Sequence, residues 1–210
     1  MLDFLQQIDV ALMYFLNVTV RNPVFSWIMP IFDDDTVFLV PLGLIWLALM
    51  IWGGAKGRWA GIGAIVIVTL TDQISSFAVK PFFERIRPCN VLPGIYMWKD
   101  AAWIQIPDVI TQVYKGSFSF TSSHATNTAG QAFWWSFMYP KYKWGWIALA
   151  AAIGYSRIYD GVHYPFDVLG GWILGALCFA VVYYPAAKWG PKSLRKSQLR
   201  PVKDQDEPVT

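Results

Sequence analysis

Polar and apolar positions along this chain are grouped in long blocks. Thr36–Ala55 and Val168–Ala187 carry no charge over 20 residues each, the length that crosses a hydrocarbon core of about 30 Å as a helix. Trp59–Val79 has a single ionisable residue, Asp72, and ends at Lys80-Pro81. Ser122–Pro140 is charge-free with a neutral His124, and Trp144–Ser156 is a shorter apolar block that extends a few residues at either end. The five blocks predict an all-α integral membrane helix bundle. Leu2–Val20 has apolar residues at helical spacing interrupted by Asp3, Gln6, Gln7 and Asp9. It predicts an interfacial helix, with a sixth span as the alternative, and its start lacks the basic region of a cleaved signal peptide.

The blocks divide the chain into an N-terminal segment 1–35, a membrane-embedded domain 36–187 and a basic tail 188–210 that reads as disordered and cytoplasmic. Composition agrees with a membrane setting. Charged residues make up 15% of the chain, against about 25% in soluble domains, and aromatic residues make up 17%, which suits a membrane–water interface. A net charge of +3, dispersed along the chain, excludes a nucleic-acid partner. Cys89 and Cys178 are too differently placed to pair, so free thiols are expected.

Lys56, Arg58, Lys141, Lys143 and the six basic residues after the last block fall on one face, ten of the 17 in all. The positive-inside bias makes that face cytoplasmic. The opposite, outer face receives Leu2–Asp35, the long connection Lys80–Thr121 and the short one around Arg157–Asp167. Charge inside a bilayer is costly, yet these connections concentrate it in a pattern. Lys80 and Arg87-Pro88 lie seven apart. Ser122-Ser123-His124 opens the third block. Ser156-Arg157, His163 and Asp167 lie between the fourth and fifth.

A phosphate terminus needs cations and hydrogen-bond donors to hold it and to stabilise its transition state. Lys80, Arg87 and Arg157 supply the cations, Ser122 and Ser123 supply hydroxyls, and the start of the third helix adds backbone N–H groups and a favourable dipole. The two histidines can divide the roles of nucleophile and proton donor. Pro165 suits a first helical turn. His163 then lies just before the helix and Asp167 within reach of one of its ring nitrogens.

These segments resemble the type 2 phosphatidic acid phosphatase and vanadium haloperoxidase superfamily, whose signature reads K-x6-RP, PSGH and SR-x5-H-x3-D. Lys80, Arg87 and Pro88 meet the first part, and Ser156, Arg157, His163 and Asp167 the third. In the second, Ser122 and His124 match while Thr121 and Ser123 replace Pro and Gly. The resemblance spans roughly residues 35–187. It implies catalytic residues His163 as nucleophile, His124 as general acid and Asp167 as orienting carboxylate, with Lys80, Arg87, Ser122, Ser123 and Arg157 binding phosphate. It implies no metal and no cofactor, and a lipid phosphate or diphosphate as substrate, reached from the bilayer. Bacterial relatives of this size include undecaprenyl-diphosphate, phosphatidylglycerophosphate, phosphatidate and lipid A phosphatases. The rival readings are a vanadate-dependent haloperoxidase and a lipid transporter that keeps a phosphate pocket. Oligomeric state is left open.

Other positions have structural readings. Glu84 and Arg85 are expected to form a solvated surface pair, and Asp160 to cap a turn. Ser123, Asn127 and Gln131 share a helix face, either lining the pocket or bonding a neighbouring helix. Pro107-Asp108 predicts the start of an interfacial helix over Ile106–Tyr114.

Overall fold

A computed structural model describes residues 2–32, 34–109 and 116–190. The chain is mostly helical. Helices α1 (Leu2–Tyr14), α2 (Pro23–Ile28), α3 (Asp35–Trp52), α4 (Gly54–Gln73), α5 (Lys80–Phe83), α6 (Ser123–Met138), α7 (Lys143–Tyr159) and α8 (Pro165–Trp189) follow in order. A π-helical turn, Ile74–Val79, joins α4 to α5. The five apolar blocks thus become α3, the α4–α5 rod, α6, α7 and α8. Asn22 caps α2 by accepting from the Phe25 N–H at 2.9 Å, and Asp34 caps α3 by accepting from the Thr36 N–H at 2.9 Å.

Two helical stretches, Gly54–Asn90 and Pro165–Trp189, are long and apolar enough to cross a membrane, and the bent pair Pro23–Phe32 and Thr36–Trp52 makes a third if counted as one span. Helices α6 and α7 have 16 and 17 residues, about 24–26 Å at 1.5 Å per residue, somewhat short of a full hydrocarbon core. Leu39, Ile173, Leu177 and Val181 are 60–71% exposed, so α3 and α8 turn apolar side chains outward as lipid-facing helices do.

The bundle closes through small residues and backbone-directed hydrogen bonds. A Cβ on Gly171 would lie 2.8 Å from the Ser122 carbonyl oxygen, and one on Gly175 would lie 2.8 Å from the Gly130 nitrogen. Only glycine lets α8 approach α6 this closely, and the approach brings the starts of the two helices side by side. Trp134 Nε1 donates to the Ala60 carbonyl at 2.8 Å and Gln131 Nε2 to the Ala64 carbonyl at 2.7 Å, fixing α6 on α4. Gln131 is therefore an interhelical partner. Lys56 lies 4.7 Å from the Tyr139 ring, so the start of α4 and the end of α6 share one end of the bundle. The ends of α5 and α7 and the starts of α6 and α8 share the other.

Two features depart from the all-α expectation. Strands β1 (Tyr96–Lys99) and β2 (Ala102–Gln105) form an antiparallel hairpin in the long connection, pairing Tyr96 with Gln105 and Trp98 with Trp103. Its two-residue turn, Asp100-Ala101, has positive φ at both positions, the geometry that matches strand twist. The interfacial helix expected over Ile106–Tyr114 does not start at Pro107: Ile106–Val109 is irregular, and residues 110–114 lie outside the description. Ile106 is instead 2% exposed, in a core with Ile95, Met97, Met13 and Val162. The hydrophobic burial of the hairpin outweighs the local helix signal. Residues 191–210 of the expected disordered tail also lie outside the described residues.

Helix α1 is not among the helices able to cross a membrane. It packs across the ends of the bundle helices, with the Tyr14 hydroxyl donating to the Pro93 carbonyl at 2.8 Å. Past its end, Asn17 Nδ2 lies within hydrogen-bond distance of the Tyr96, Ile158 and Tyr159 carbonyls, at 2.7–3.1 Å, and its Oδ1 accepts from the Tyr96 N–H at 2.7 Å. One buried amide thus joins the N-terminal segment, the hairpin and the end of α7.

Candidate active site

The three sequence segments converge at the end of the bundle where α5 and α7 finish and α6 and α8 begin. Residues 160–164 make the turn between α7 and α8. Gly161 takes φ +79° with the Tyr96 carbonyl against it, leaving no room for a side chain. The Val162 and His163 N–H groups both donate to the Arg157 carbonyl at 3.2 Å, which holds His163 over the end of α7. Pro165 starts α8, so His163 precedes the helix and Asp167 occupies its first turn.

Arg87 reaches the turn from the first segment. Its Nη1 donates to the Val162 carbonyl at 3.0 Å and lies 3.1 Å from His163 Nε2. Its Nε and Nη2 donate to the Ser117 carbonyl and hydroxyl, each at 3.2 Å. Lys80 Nζ lies 3.5 Å from the same Ser117 hydroxyl. Lys80, Arg87, Ser117 and His163 therefore form one cluster.

A guanidinium has no lone pair to accept with, so the contact at Nε2 requires Nε2 to accept and leaves the ring proton on Nδ1. Asp167 Oδ2 lies on that side, 3.6 Å from Nδ1, beyond hydrogen-bond length. The carboxylate is occupied elsewhere: Oδ2 accepts from the Ser119 hydroxyl at 2.5 Å and the Tyr164 N–H at 2.8 Å, and Oδ1 from Arg85 Nη1 at 2.6 Å. Burial pushes His163 down to about 3, Arg87 acting the same way and Asp167 against it. The imidazole is neutral at ordinary pH.

Ser122 caps α6, its hydroxyl accepting from the Ala125 N–H at 3.4 Å, and its N–H donates to the Asp167 carbonyl at 3.1 Å. Ser123 Oγ lies 3.0 Å from Ser75 Oγ, which also lies 3.2 Å from Thr121 Oγ1. The residue in place of the motif's glycine thus joins a hydroxyl cluster with α4's extension. His124 follows in the first turn of α6, half-buried. Arg157 is buried at the last turn of α7, 5% exposed.

Two positions differ from their sequence readings. Arg85 is no solvated partner of Glu84: its Nη2 reaches Asp9 at 2.6 Å and Gln6 at 2.8 Å, its Nη1 reaches Asp167, and its guanidinium lies 4.0 Å from the Tyr164 ring. Asp160 does not cap a turn through its side chain. It is 0% exposed and neither carboxylate oxygen has a hydrogen bond among the described residues. Arg157 and Arg21 act as its counter-charges, and burial raises it to about 7. Arg21 is itself stacked 3.9 Å from the Trp103 ring and 4.1 Å from that of Tyr96. Cys89 and Cys178 are free and buried. Ser75, Ser117 and Ser119 were not singled out by the sequence; hydroxyls at irregular spacing give no periodic or motif signal.

Residues 61–190 match the PAP2 superfamily. The lipid A 4'-phosphatase of Bacteroides thetaiotaomicron is 26% identical over 195 residues, 90% of this chain and 81% of that protein. The phosphatidylglycerophosphatase B of Bacillus subtilis is 31% identical over 156 residues, 69% of this chain and 66% of that protein. The crystal structure of a transmembrane PAP2-type phosphatidylglycerolphosphate phosphatase from Bacillus subtilis superposes with a TM-score of 0.62 at 27% identity, covering 88% of this chain and 87% of that one. With that match spanning most of the bundle and all three segments that meet around His163, the chain belongs to the PAP2 superfamily.

Proposed function

We propose that this PAP2 phosphatase removes phosphate from a lipid phosphomonoester or diphosphate by way of a phosphohistidine on His163. The observation that carries the reading is the contact between Arg87 Nη1 and His163 Nε2 at 3.1 Å. It fixes the tautomer whose Nε2 lone pair is available, and places a cation where a phosphoryl oxygen would sit. Substrate would displace that contact, with Arg87 turning its N–H groups to phosphate.

Nε2 attacks phosphorus, and the bond from phosphorus to the leaving oxygen breaks as His124 donates a proton to that oxygen. Asp167 stabilises the charge that develops on the ring from the Nδ1 side. Water then attacks the phosphohistidine while His124 takes its proton, releasing phosphate and restoring neutral His163. Lys80, Arg87 and Arg157 offset the phosphoryl charge, with hydroxyls and N–H groups at the start of α6 completing the donors.

A lipid substrate is favoured by an apolar groove of about 260 Å³ lined by Val79, Phe120, Thr121, Gly170, Ile173, Leu174 and Leu177. It runs from the Thr121 segment along the exposed apolar face of α8, so an acyl or prenyl tail can stay in the bilayer. In this reading α3, the α4–α5 rod, α6, α7 and α8 all span the membrane as one domain, 36–187, with the segment 1–35 docked against it. Lys56, Arg58, Lys141, Lys143 and Lys188 lie at the end opposite the site, and by the positive-inside bias this supports catalysis on the outer face of the cell membrane.

The test is phosphate release from undecaprenyl diphosphate, phosphatidylglycerophosphate, phosphatidate and lipid A by purified protein. Turnover of at least one is expected, with no release by His163→Ala and an acid-labile, base-stable phosphoenzyme trapped in wild type. No release from any of the four, or undiminished release by His163→Ala, would refute it.

A further inference from the structure

Two buried carboxylates meet on one guanidinium beside the site. Arg85 Nη1 donates to Asp167 Oδ1 and Arg85 Nη2 to Asp9 Oδ2, each at 2.6 Å. Both carboxylates are fully buried, and the Arg85 side chain is 20% exposed. Asp9 comes from α1, and its other oxygen accepts from the Phe166 N–H at 2.9 Å. Asp167 accepts from the Tyr164 N–H. The two acids therefore also satisfy N–H groups at the very start of α8, where a helix favours negative charge.

Arg85 holds Asp167 a second way. Its carbonyl accepts from the Ser119 N–H at 2.7 Å, and the Ser119 hydroxyl donates to Asp167 Oδ2. Side chain and backbone of one residue thus grip both oxygens of the carboxylate that faces His163 Nδ1. Gln6 of α1 shares Arg85 Nη2, and the guanidinium is stacked on Tyr164. Three of its four Nη hydrogens are committed to these partners. Only a fork-shaped cation can reach two carboxylates at once in fixed geometry.

We propose that Arg85 is a positioning residue for the nucleophile, acting through Asp167, and that α1 is a working part of the active site because its Asp9 fixes Arg85 in place. The inference rests on the phosphohistidine reading above. Arg85 lies between the Lys and Arg of the first motif, yet its side-chain bonds go to Asp9, Gln6 and Asp167 and not to the Ser117 that Lys80 and Arg87 share, so its effect should fall on turnover and leave substrate affinity unchanged.

The test is steady-state phosphate release, using the lipid of the four above that wild type cleaves fastest. Arg85→Gln should lower kcat about a hundredfold, the size expected when a reacting group is misplaced by about an ångström, with KM within about threefold of wild type. Arg85→Lys should recover only part of that loss. The double variant Arg85→Gln with Asp167→Asn should be no slower than Asp167→Asn alone, because residues that act as a unit are not additive.

A large rise in KM at unchanged kcat would overturn the proposal by making Arg85 a direct phosphate contact. Losses that multiply in the double variant would overturn it by separating Arg85 from Asp167. If Arg85→Gln does not fold, Asp9→Asn serves: kcat about tenfold down at constant KM is expected, and wild-type kcat would overturn the role of α1. Failure of the phosphatase reading would show instead in the wild type, which would release no phosphate, and would overturn this inference with it.

Discussion

Asp160 offers a prediction whose sign and size both follow from its surroundings. Its carboxyl is fully buried with no hydrogen bond to either oxygen among the described residues, and burial raises it from 3.8 to about 7 against the pull of Arg157 and Arg21. Between about pH 4 and pH 7 the folded chain holds a proton that the unfolded chain has released. Stability therefore falls as pH rises through that window. At about 1.4 kcal/mol per pH unit, the interval amounts to about 4 kcal/mol, with the attraction of the two arginines already included. Asn has the shape of the protonated acid and no charge at any pH. Asp160→Asn is expected to be more stable than wild type by about 1.5 kcal/mol at pH 5 and by about 4 kcal/mol at pH 8, the latter roughly 10 °C in melting temperature for a chain of this size. The assay is thermal unfolding of detergent-solubilised protein, followed by tryptophan fluorescence at both pH values. A stability difference that is the same at pH 5 and pH 8 would refute the reasoning, because it would show that Asp160 does not titrate in this window.

Gly171→Ala places a Cβ 2.8 Å from the Ser122 carbonyl; overpacking of this kind costs about 1–3 kcal/mol. It should also reduce kcat by separating the starts of α6 and α8, checked by melting temperature and turnover of one protein sample. Arg87→Lys keeps a charge but loses the fork that joins Val162, Ser117 and His163. A drop of about 10²–10³ in kcat/KM is expected, the size typical of a lost transition-state donor, measured by phosphate release.

The parts of the site legible in the sequence are those whose spacing is local. Lys80 with Arg87-Pro88, Ser122 with His124, and Arg157 with His163 and Asp167 are each set by a few residues at a helix end. Pro165 alone was enough to place His163 before α8 and Asp167 in its first turn. The helices were legible as long, charge-poor apolar blocks bounded by polar residues, the pattern of helices that bury or expose apolar side chains along their length. The hairpin was not, since its turn, Asp100-Ala101, lacks the Asn-Gly or Asp-Gly signal of a two-residue loop. Pro107-Asp108 meanwhile offered a helix start that tertiary burial of Ile106 overrode. Asp160 could be read as a turn residue because nothing local says that the stacked Arg21, from the far end of the sequence, would roof over it.

In helix α1 a sequence signal has a cause that the sequence alone does not show. Gln6 and Asp9 interrupt the apolar pattern of Leu2–Val20, and the interruption argued against a spanning helix. In the fold these two residues are the ones that hold Arg85, 79 and 76 positions away, and Asp9 is fully buried. A carboxylate placed in lipid would have to carry its desolvation cost alone. Here it is offset by a guanidinium and a helix N-terminus, and breaking such a buried pair by removing one partner costs about 3–5 kcal/mol. Asp9 therefore marks a docking point directed at the first turn of α8, while Asp3, Gln6 and Gln7 stay on the exposed side of α1. A helix that supplies the counter-ion for Arg85 thus helps hold the carboxylate that lies on the Nδ1 side of His163, from outside the region that carries the motifs.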